Sequence, residues 1–428
     1  MGRYTLSENQ LRRAEKSIPV GSQTFSKSKT QYPVGISPLF ATKGKGAYLW
    51  DLDGNKYIDL VSGLASITLG YGDKNLEREI KKQLKKGVIF SLPGRLESEV
   101  AEQIINLVPS AEMVRFGKNG SDATTAAIRL ARAFTGRDHI IVCGYHGWQD
   151  WYIGNTTRNL GVPKTVSDLT HRFEYNNLSQ LQDAFDKFHN KIAAVIMEPM
   201  NKDFPVEGFL QSVKELTHKN GAVLIFDEII TGFRFSEGGA QELFNVTPDL
   251  STFGKGMASG FPISAVVGNK EIMSKMEDIF FSGTFGGELL SLAASKYVLS
   301  KHQEKEIIPI LEENGTRIAE ITQKEIDANS LESVVNLSGH STWKFLNFNA
   351  TPKYSAEEIK TYFLQEVFLH GLLTTGTHNV TLAHNQKIAN KLEVIYQKVL
   401  GRISVSLKNE TLRDDLKVQP LVPLFKVR

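Results

Sequence analysis

Between residues 70 and 300 the chain alternates two hydrophobic periods. Short runs rich in β-branched residues fall at 139–143, 193–197, 222–226 and 263–267, and the stretches between them carry apolar residues at helical spacing. Continuous apolar runs of that length suit strands buried on both faces. Alternated with helices, they predict a parallel or mostly parallel sheet with helices on both sides. The clearest helix follows residue 122, where Ala123, Ala126, Ala127, Leu130, Ala131 and Phe134 share one face. Asp122 stands in its first turn, Arg129 and Arg132 near its end, and Gly136 just beyond, in the sense the helix dipole and a glycine stop prefer. Upstream, residues 1 to about 40 read as a helix and then an irregular arm rich in Ser, Gln, Thr and Lys. Residues 47–50 and 56–60 flank Asp53-Gly54-Asn55 as a hairpin. From 301 onward come Lys/Glu-rich helices, a few short strands and a proline-containing tail, which predict a smaller α+β domain. The expected division is 1–65 as an N-terminal part of the small domain, 66–300 as the large domain and 301–428 as the rest of the small one.

Composition narrows the class. At 428 residues the chain exceeds one core of ordinary size, so a large domain with a smaller companion is expected. With 41% hydrophobic and 23% charged residues it reads as a globular protein in water. The net charge of +3 is scattered, which argues against nucleic acid and membrane surfaces as partners. The densest basic cluster, Lys81, Lys82, Lys85 and Lys86, is spaced like the solvated face of a helix. Cys143 is the single cysteine, so no intramolecular disulfide and no cysteine-based metal site is expected, in keeping with a reducing cytoplasm. The N-terminus has no apolar signal-type stretch, no later run approaches a membrane span, and Leu6 stands where a myristoylation signal needs Ser or Thr. Asp51, Asp53 and Asn55 resemble the start of a calcium loop, but the glycine comes too early and no Glu closes it, so a turn is the reading.

In open α/β sheets ligands bind beyond the carboxyl ends of strands, and four such places carry chemistry here. The 222–226 run delivers Asp227-Glu228, a carboxylate in a low-dielectric crevice that needs a cationic partner such as a protonated pyridine nitrogen. A helix cap or a structural ion pair is the competing reading. Lys255 lies between Gly254 and Gly256 after a short apolar segment, free to approach a flat ligand, and burial would favour its neutral amine. An ordinary exposed lysine competes. The stretch 254–260 only imitates a dinucleotide fingerprint, because its third glycine comes one place late. Asn119-Gly120-Ser121-Asp122 opens the helix described above, where free backbone N–H groups and a hydroxyl could take a phosphate, or merely cap. Gly144-Tyr145-His146-Gly147-Trp148 follows the 139–143 run and offers an aromatic ring for stacking, or for packing. Together they supply a phosphate cradle, a stacking ring, an anion for a ring nitrogen and an amine for an aldehyde. Those are the needs of pyridoxal 5'-phosphate (PLP).

The order and spacing of these segments resemble class III aminotransferases of PLP fold type I, and among them the glutamate-1-semialdehyde aminomutase group. The resemblance rests on the run from Asp227 through Ile229, Thr231 and Gly232 to Phe235, on Gly238-Gly239-Ala240-Gln241, on Val246-Thr247-Pro248-Asp249-Leu250 and on the Lys255 segment. It extends over roughly residues 35 to 300 and weakens toward Leu382-Ala383-His384-Asn385. It implies a large domain with a mostly parallel seven-stranded sheet and a smaller α+β domain formed by the N- and C-terminal segments. It also implies that Lys255 holds PLP as a Schiff base and shuttles the proton, and that Asp227 keeps the pyridine nitrogen protonated. Tyr145 would stack on the ring with His146 beside it, and Gly120 and Ser121 would bind the phosphate. Thr284, in the glycine-rich stretch 282–287, would reach the phosphate of a partner subunit, making a homodimer with shared sites. Glu198, after the 193–197 run, would form part of the active-site wall. No metal is implied.

The chain departs from the aminomutase pattern in two places. Where that group has an arginine that holds the substrate carboxylate, the matching stretch Val20-Gly21-Ser22-Gln23-Thr24-Phe25-Ser26-Lys27 offers Lys27. The usual Ser-Gly-Thr-Glu-Ala becomes Asn119-Gly120-Ser121-Asp122-Ala123. The expectation is therefore an aminotransferase that moves an amino group from an amino acid donor to a small aldehyde, ketone or sugar-derived carbonyl, as in surface-polysaccharide or secondary-metabolite synthesis. Glutamate-1-semialdehyde 2,1-aminomutase is the alternative, and a PLP racemase or decarboxylase on the same fold follows. A nucleotide-binding oxidoreductase is disfavoured because no strand is followed by a proper Gly-x-Gly-x-x-Gly.

Overall fold

The computed structural model describes residues 2–422; Met1 and the end of the proline-containing tail, 423–428, lie outside them. The chain divides into two compact units, one built from residues 2–73 and 309–422 and the other from residues 74–308.

In the first unit, β1 (Ala41–Lys45), β2 (Tyr48–Asp51) and β3 (Lys56–Asp59) form an antiparallel meander. The expected hairpin is β2–β3, with Trp50 opposite Lys56. Asp51 explains its turn: its carboxylate accepts the Asn55 N–H at 2.7 Å and the Tyr57 hydroxyl at 2.9 Å. The calcium-like residue Asp53 is used differently. It caps the helix Thr5–Ala14 by accepting the N–H groups of Leu6 and Ser7 at 2.6 and 2.9 Å.

The second unit carries the sheet. Its strands are β4 (Met113–Gly117), β5 (His139–Cys143), β6 (Thr170–Arg172), β7 (Ile192–Met197), β8 (Val223–Asp227), β9 (Leu250–Phe253) and β10 (Ser264–Gly268). They lie side by side in the order β4-β10-β9-β8-β7-β5-β6. The strands β9, β8, β7, β5 and β6 run parallel, and β10 runs against both β4 and β9. Alternate residues feed two cores, as a sheet covered on both faces requires. Ile140, Val142, Ile196 and Ile225 pack on one side with Ala127, Leu130 and Ala131 of the helix Gly120–Thr135. Ile141, Val195, Leu224 and Phe226 pack on the other with Leu181, Phe185, Phe209 and Val213.

Three details differ from the sequence expectation. Phe134, placed on the buried stripe, is 38% exposed, because the packed face of its helix ends at Ala131. Lys85 and Lys86 lie past the end of the helix Lys74–Leu84, so only Lys81 and Lys82 share its exposed face. Asp227 is the last residue of β8 rather than the first beyond it.

The remaining strands, β11 (Val335–His340), β12 (Trp343–Phe348), β13 (Leu372–Leu373) and β14 (Thr377–Asn379), return to the first unit. There β13 pairs in parallel with β3, and β11-β12-β14 makes a separate antiparallel sheet. No helix among the described residues is long and apolar enough to cross a membrane.

Candidate active site

Register alone brings the chemical residues together. Cys143 pairs with Met197, Met197 with Phe226, and Asp227 with Thr252. The carboxyl ends of β5, β7, β8 and β9 therefore share one edge of the sheet. Gly144–Gly147, Glu198, Asp227 and Lys255 all issue from it. The end of β4 opens on the same edge, since Gly117 lies opposite Ser264 and Phe253 opposite Ala265 across the reversed β10.

Asp227 is 5% exposed. The Nδ1–H of His146 donates to its Oδ2 at 2.7 Å, and its Oδ1 accepts the Ile229 N–H at 3.1 Å and the Thr252 hydroxyl at 3.3 Å. No lysine or arginine among the described residues pairs with it. A buried carboxylate held only by hydrogen bonds suits a cationic ligand, whose charge would offset the desolvation. His146 is 1% exposed; its ring lies parallel to that of Trp151 and meets Tyr152 edge-on, and its Nε2 is buried without a hydrogen-bond partner.

The loop after β5 depends on two glycines with positive φ, Gly144 (108°) and Gly147 (107°). A Cβ on Gly144 would stand 2.5 Å from a Glu198 carboxylate oxygen, and one on Gly147 would stand 2.2 Å from the Ser121 Oγ. Only glycine allows both that backbone and that approach. The same loop is tied to the helix Gly120–Thr135 by hydrogen bonds from the Thr124 hydroxyl to the His146 carbonyl at 2.9 Å and from the Trp148 N–H to the Ser121 Oγ at 3.3 Å. Glu198, 4% exposed, accepts the Tyr145 N–H at 3.2 Å, so it braces the loop that carries the aromatic ring. Tyr145 itself is 37% exposed, with one edge against Tyr152.

At the end of β4, the Asp122 carboxylate accepts the N–H groups of Lys118 and Asn119 at 3.0 and 2.8 Å. The first N–H groups of the helix have no partner within it, and they face an anion with the favourable end of the dipole. A Cβ on Gly120 would come within 3.1 Å of Ile229, so this turn lies close to the segment after β8. Lys255 begins the short turn Lys255–Ala258 directly beyond β9, with φ 41°, a left-handed value rare for a side chain of its size.

Two expected residues do not issue from a strand end. Thr284 is exposed on the loop before the helix Leu289–Gln303, and Lys27 is exposed in the turn Phe25–Lys27 of the first unit. Other residues support the site without a signal that single positions give. Glu228 is fully buried and accepts the Thr231 hydroxyl, the N–H groups of Ala240 and Gln241 at 2.8 Å each, and the Gln241 side chain. Burial raises its pKa against those bonds. Gln241 also donates to Ser251 at 3.0 Å, and Asp249 accepts the Leu224 N–H at 2.7 Å. The segments 238–241 and 246–250 thus lock β8 to β9 and hold Asp227 and Lys255 at neighbouring strand ends. Thr252 and Thr124 could have been found only as buried threonines facing a strand end.

These residues fit PLP: a buried anion that no lysine or arginine among the described residues pairs with, a helix N-terminus crossed by a glycine loop, an aromatic ring and a lysine just beyond a neighbouring strand end. Comparison with known proteins agrees. The family profile for class-III aminotransferases matches residues 31–383. A glutamate-1-semialdehyde 2,1-aminomutase of Flavobacterium psychrophilum is 34% identical over 400 residues, covering 88% of this chain and 92% of the relative. A 3-aminobutyryl-CoA aminotransferase of Cloacimonas acidaminovorans is 31% identical over 397 residues, covering 90% and 94%. Among solved structures, the FumI protein of Sphingopyxis sp. MTA144 in its PLP internal aldimine form superposes with a TM-score of 0.87 at 26% identity, over 97% of this chain and 99% of that one. An omega-transaminase from Sphaerobacter thermophilus shares the fold with a TM-score of 0.84, at 24% identity over 92% and 97%. The chain belongs to the class III aminotransferases, PLP-dependent enzymes of fold type I.

Proposed function

We propose that this chain transfers an amino group from an amino acid donor to a small, weakly anionic aldehyde, ketone or sugar-derived carbonyl. The observation that carries the catalytic part is the buried hydrogen bond between His146, on the loop after β5, and Asp227, at the end of β8 beside the strand that delivers Lys255. When bound, PLP supplies an electron-accepting ring and an aldehyde carbon that carries the amino group. Asp227 holds a proton at the ring nitrogen, and His146 fixes the carboxylate that does so. Gly120 and Ser121 bind the phosphate through backbone N–H groups and a hydroxyl. Tyr145 lies against the ring face, and Glu198 keeps its loop in place. The Lys255 Nζ would hold the cofactor's aldehyde carbon and, once released by the amino donor, would serve as the base for the proton on the substrate carbon that bears nitrogen. Thr284 reaches the phosphate bound by a second copy of the chain, so the enzyme works as a homodimer. The lone buried thiol of Cys143, whose pKa burial pushes up to about 12, is consistent with a cytoplasmic enzyme.

The acceptor class rests on Lys27. An aminomutase must retain its diamino intermediate, which asks for a firm grip on the substrate carboxylate. A lysine is a point charge on a flexible stem and cannot reproduce the bidentate arginine fork. Ser22, Gln23, Thr24 and Ser26 beside it are uncharged and suit hydroxyl groups. The names of several relatives favour the second reading, glutamate-1-semialdehyde 2,1-aminomutase. Incubation with glutamate-1-semialdehyde separates the two. We expect little 5-aminolevulinate without an added donor, and efficient conversion would establish the mutase instead.

A further inference from the structure

The loop that carries Thr284 is fixed by three cations, one each from β4, the turn after it and the cradle helix. Arg129 donates to the Phe280 carbonyl at 2.6 Å, Arg115 to the Phe281 carbonyl at 3.1 Å, and the Lys118 Nζ to the Glu288 Oε2 at 3.1 Å. Between these anchors the chain makes two consecutive tight turns, with the Gly286 N–H bonded to the Gly283 carbonyl at 3.0 Å and the Glu288 N–H to the Phe285 carbonyl at 3.1 Å. Thr284 stays exposed, and Phe285 is 58% exposed.

The third anchor differs from the other two because each of its residues takes part in a helix N-terminal turn, Glu288 as the cap itself and Lys118 one residue before the cap Asn119. The Lys118 N–H belongs to the cap of Gly120–Thr135 through Asp122. Glu288 caps Leu289–Gln303: Oε1 accepts the Leu290 N–H at 2.7 Å, and Oε2 accepts the Ser291 N–H at 3.1 Å and the Ser291 hydroxyl at 2.6 Å. The ion pair is largely shielded, with side-chain exposures of 20% and 13%, so salt screens it less than a surface pair. Burial works against the charged carboxyl, yet the bonds from Ser291, Leu290 and Lys118 leave its pKa below the ordinary value. Lys118 therefore links the phosphate cradle directly to the base of the Thr284 loop.

We propose that Lys118 and Glu288 are positioning residues for cofactor retention. By joining the two helix N-terminal turns they fix the distance between a protomer's own phosphate cradle and the loop it lends to a second copy. The inference rests on the roles given above to Ser121 and Thr284. It concerns affinity for the cofactor, because neither residue is placed at the reacting atoms.

The test is spectroscopic titration of the cofactor-free protein with PLP, beside kcat at saturating PLP. The variants are Lys118→Met, Lys118→Arg, Glu288→Gln, the pair Lys118→Met with Glu288→Gln, and Thr284→Ala. Lys118→Met and Glu288→Gln should each raise the PLP Kd by roughly tenfold, the scale of one shielded charge-assisted bond. The double variant should be no worse than the worse single one, and kcat at saturation should change by less than about twofold. Lys118→Arg should restore most of the affinity, which a purely steric role would not give. If Thr284→Ala weakens PLP binding while Lys118→Met and Glu288→Gln do not, the linkage is wrong and the Thr284 role stands. If Thr284→Ala also leaves the Kd unchanged, the role of Thr284 fails and the linkage with it. Should Lys118→Met not fold, Glu288→Gln decides alone, with thermal unfolding read beside the titration, since its single amide oxygen keeps the capping bonds of only one of the two carboxylate oxygens.

Discussion

Asp227→Asn changes one charge and almost no volume. In the native site the carboxylate is 5% exposed and is held by the His146 imidazole at 2.7 Å, the Ile229 N–H and the Thr252 hydroxyl, and no lysine or arginine among the described residues forms an ion pair with it. If its counter-charge is the protonated ring nitrogen of the cofactor, the amide removes one partner of a buried ion pair. Such a loss costs about 3–5 kcal/mol, or roughly 150- to 5,000-fold in rate at 1.36 kcal/mol per decade. The cofactor-free protein should not suffer in parallel, because the variant no longer buries an unneutralised charge. The assay is the single-turnover rate with an amino donor at saturating PLP, with thermal unfolding of the cofactor-free protein as control. His146→Phe supplies an internal scale. It keeps the charge and the ring volume but removes the orienting bond, so its loss should be smaller, about 1.5–3 kcal/mol. A rate for Asp227→Asn within about tenfold of the parent at equal cofactor occupancy would refute the charge-pair argument. So would an equal loss in the two variants, which would make orientation rather than charge the operative property.

Lys255→Ala should abolish turnover and the covalent PLP–protein adduct trapped by borohydride; trapping on another lysine would show the assignment to be wrong. Gly147→Ala places a methyl group 2.2 Å from the Ser121 Oγ at a φ of 107°. It should destabilise the fold by about 1–3 kcal/mol and weaken PLP binding, both lost from the argument if melting and titration match the parent. His139 and His171 bond at 2.9 Å on β5 and β6 and stack with Phe188, and burial lowers both pKa values, that of His171 to about 4. The unfolded chain then binds the extra proton first, so this contribution is complete above pH ~6.5 and falls away toward pH ~4. Because the rings are partly exposed, it should not exceed about 2 kcal/mol, and unfolding of His171→Gln should show a flatter pH dependence across that window. Lys27→Arg should raise the preference for carboxylate-bearing over neutral carbonyl acceptors by roughly tenfold, and an unchanged ratio of kcat/KM values would remove Lys27 from the acceptor site.

The strands legible in the sequence are those buried on both faces. β5, β7, β8 and β10 are runs of apolar residues, each found to within one residue of its observed limits. β4 and β6 lie at the two edges of the sheet and are not. β4 alternates exposed and half-buried positions around Arg115, and β6 is three residues long. β9 shows only as a short apolar segment because two of its four residues are Ser251 and Thr252. Both are fully buried and satisfied by Ser110, Gln241 and Asp227, partners outside the strand itself that only the fold brings to it. The reversal of β10 has no signature either, since a strand with both faces covered carries the same pattern whichever way it runs. At the site, Asp227, Lys255 and the Gly120-Ser121 turn could be read as types of residue in a place. The hydrogen bond between His146 and Asp227 could not, because it joins residues that only the register of β5, β7 and β8 brings together.

The same register explains why the residues proposed to hold the cofactor form a recognisable set while Lys27, proposed to meet the substrate, does not. Each group assigned to PLP within a single chain sits at or just beyond a strand end in one sheet. Moving any one of them means shifting a buried strand by a residue, which would turn its core face outward. The glycines at 144 and 147 tighten this, because the loop between them fits only with Glu198 and Ser121 where they are. Chemistry built on those positions is therefore held in place by the same contacts that hold the core. Lys27 is under no such constraint. It occupies an exposed turn whose local hydrogen bonds, from the Ser28 and Thr30 hydroxyls to the Phe25 carbonyl at 2.9 and 3.1 Å, do not involve its side chain. An exchange between arginine and lysine at 27 leaves those bonds and every buried contact of the sheet intact. In this fold a change of acceptor is thus cheap for stability, whereas a change of cofactor chemistry is not. That asymmetry is the physical reason to let the strand ends define the reaction type and the exposed turn define the acceptor.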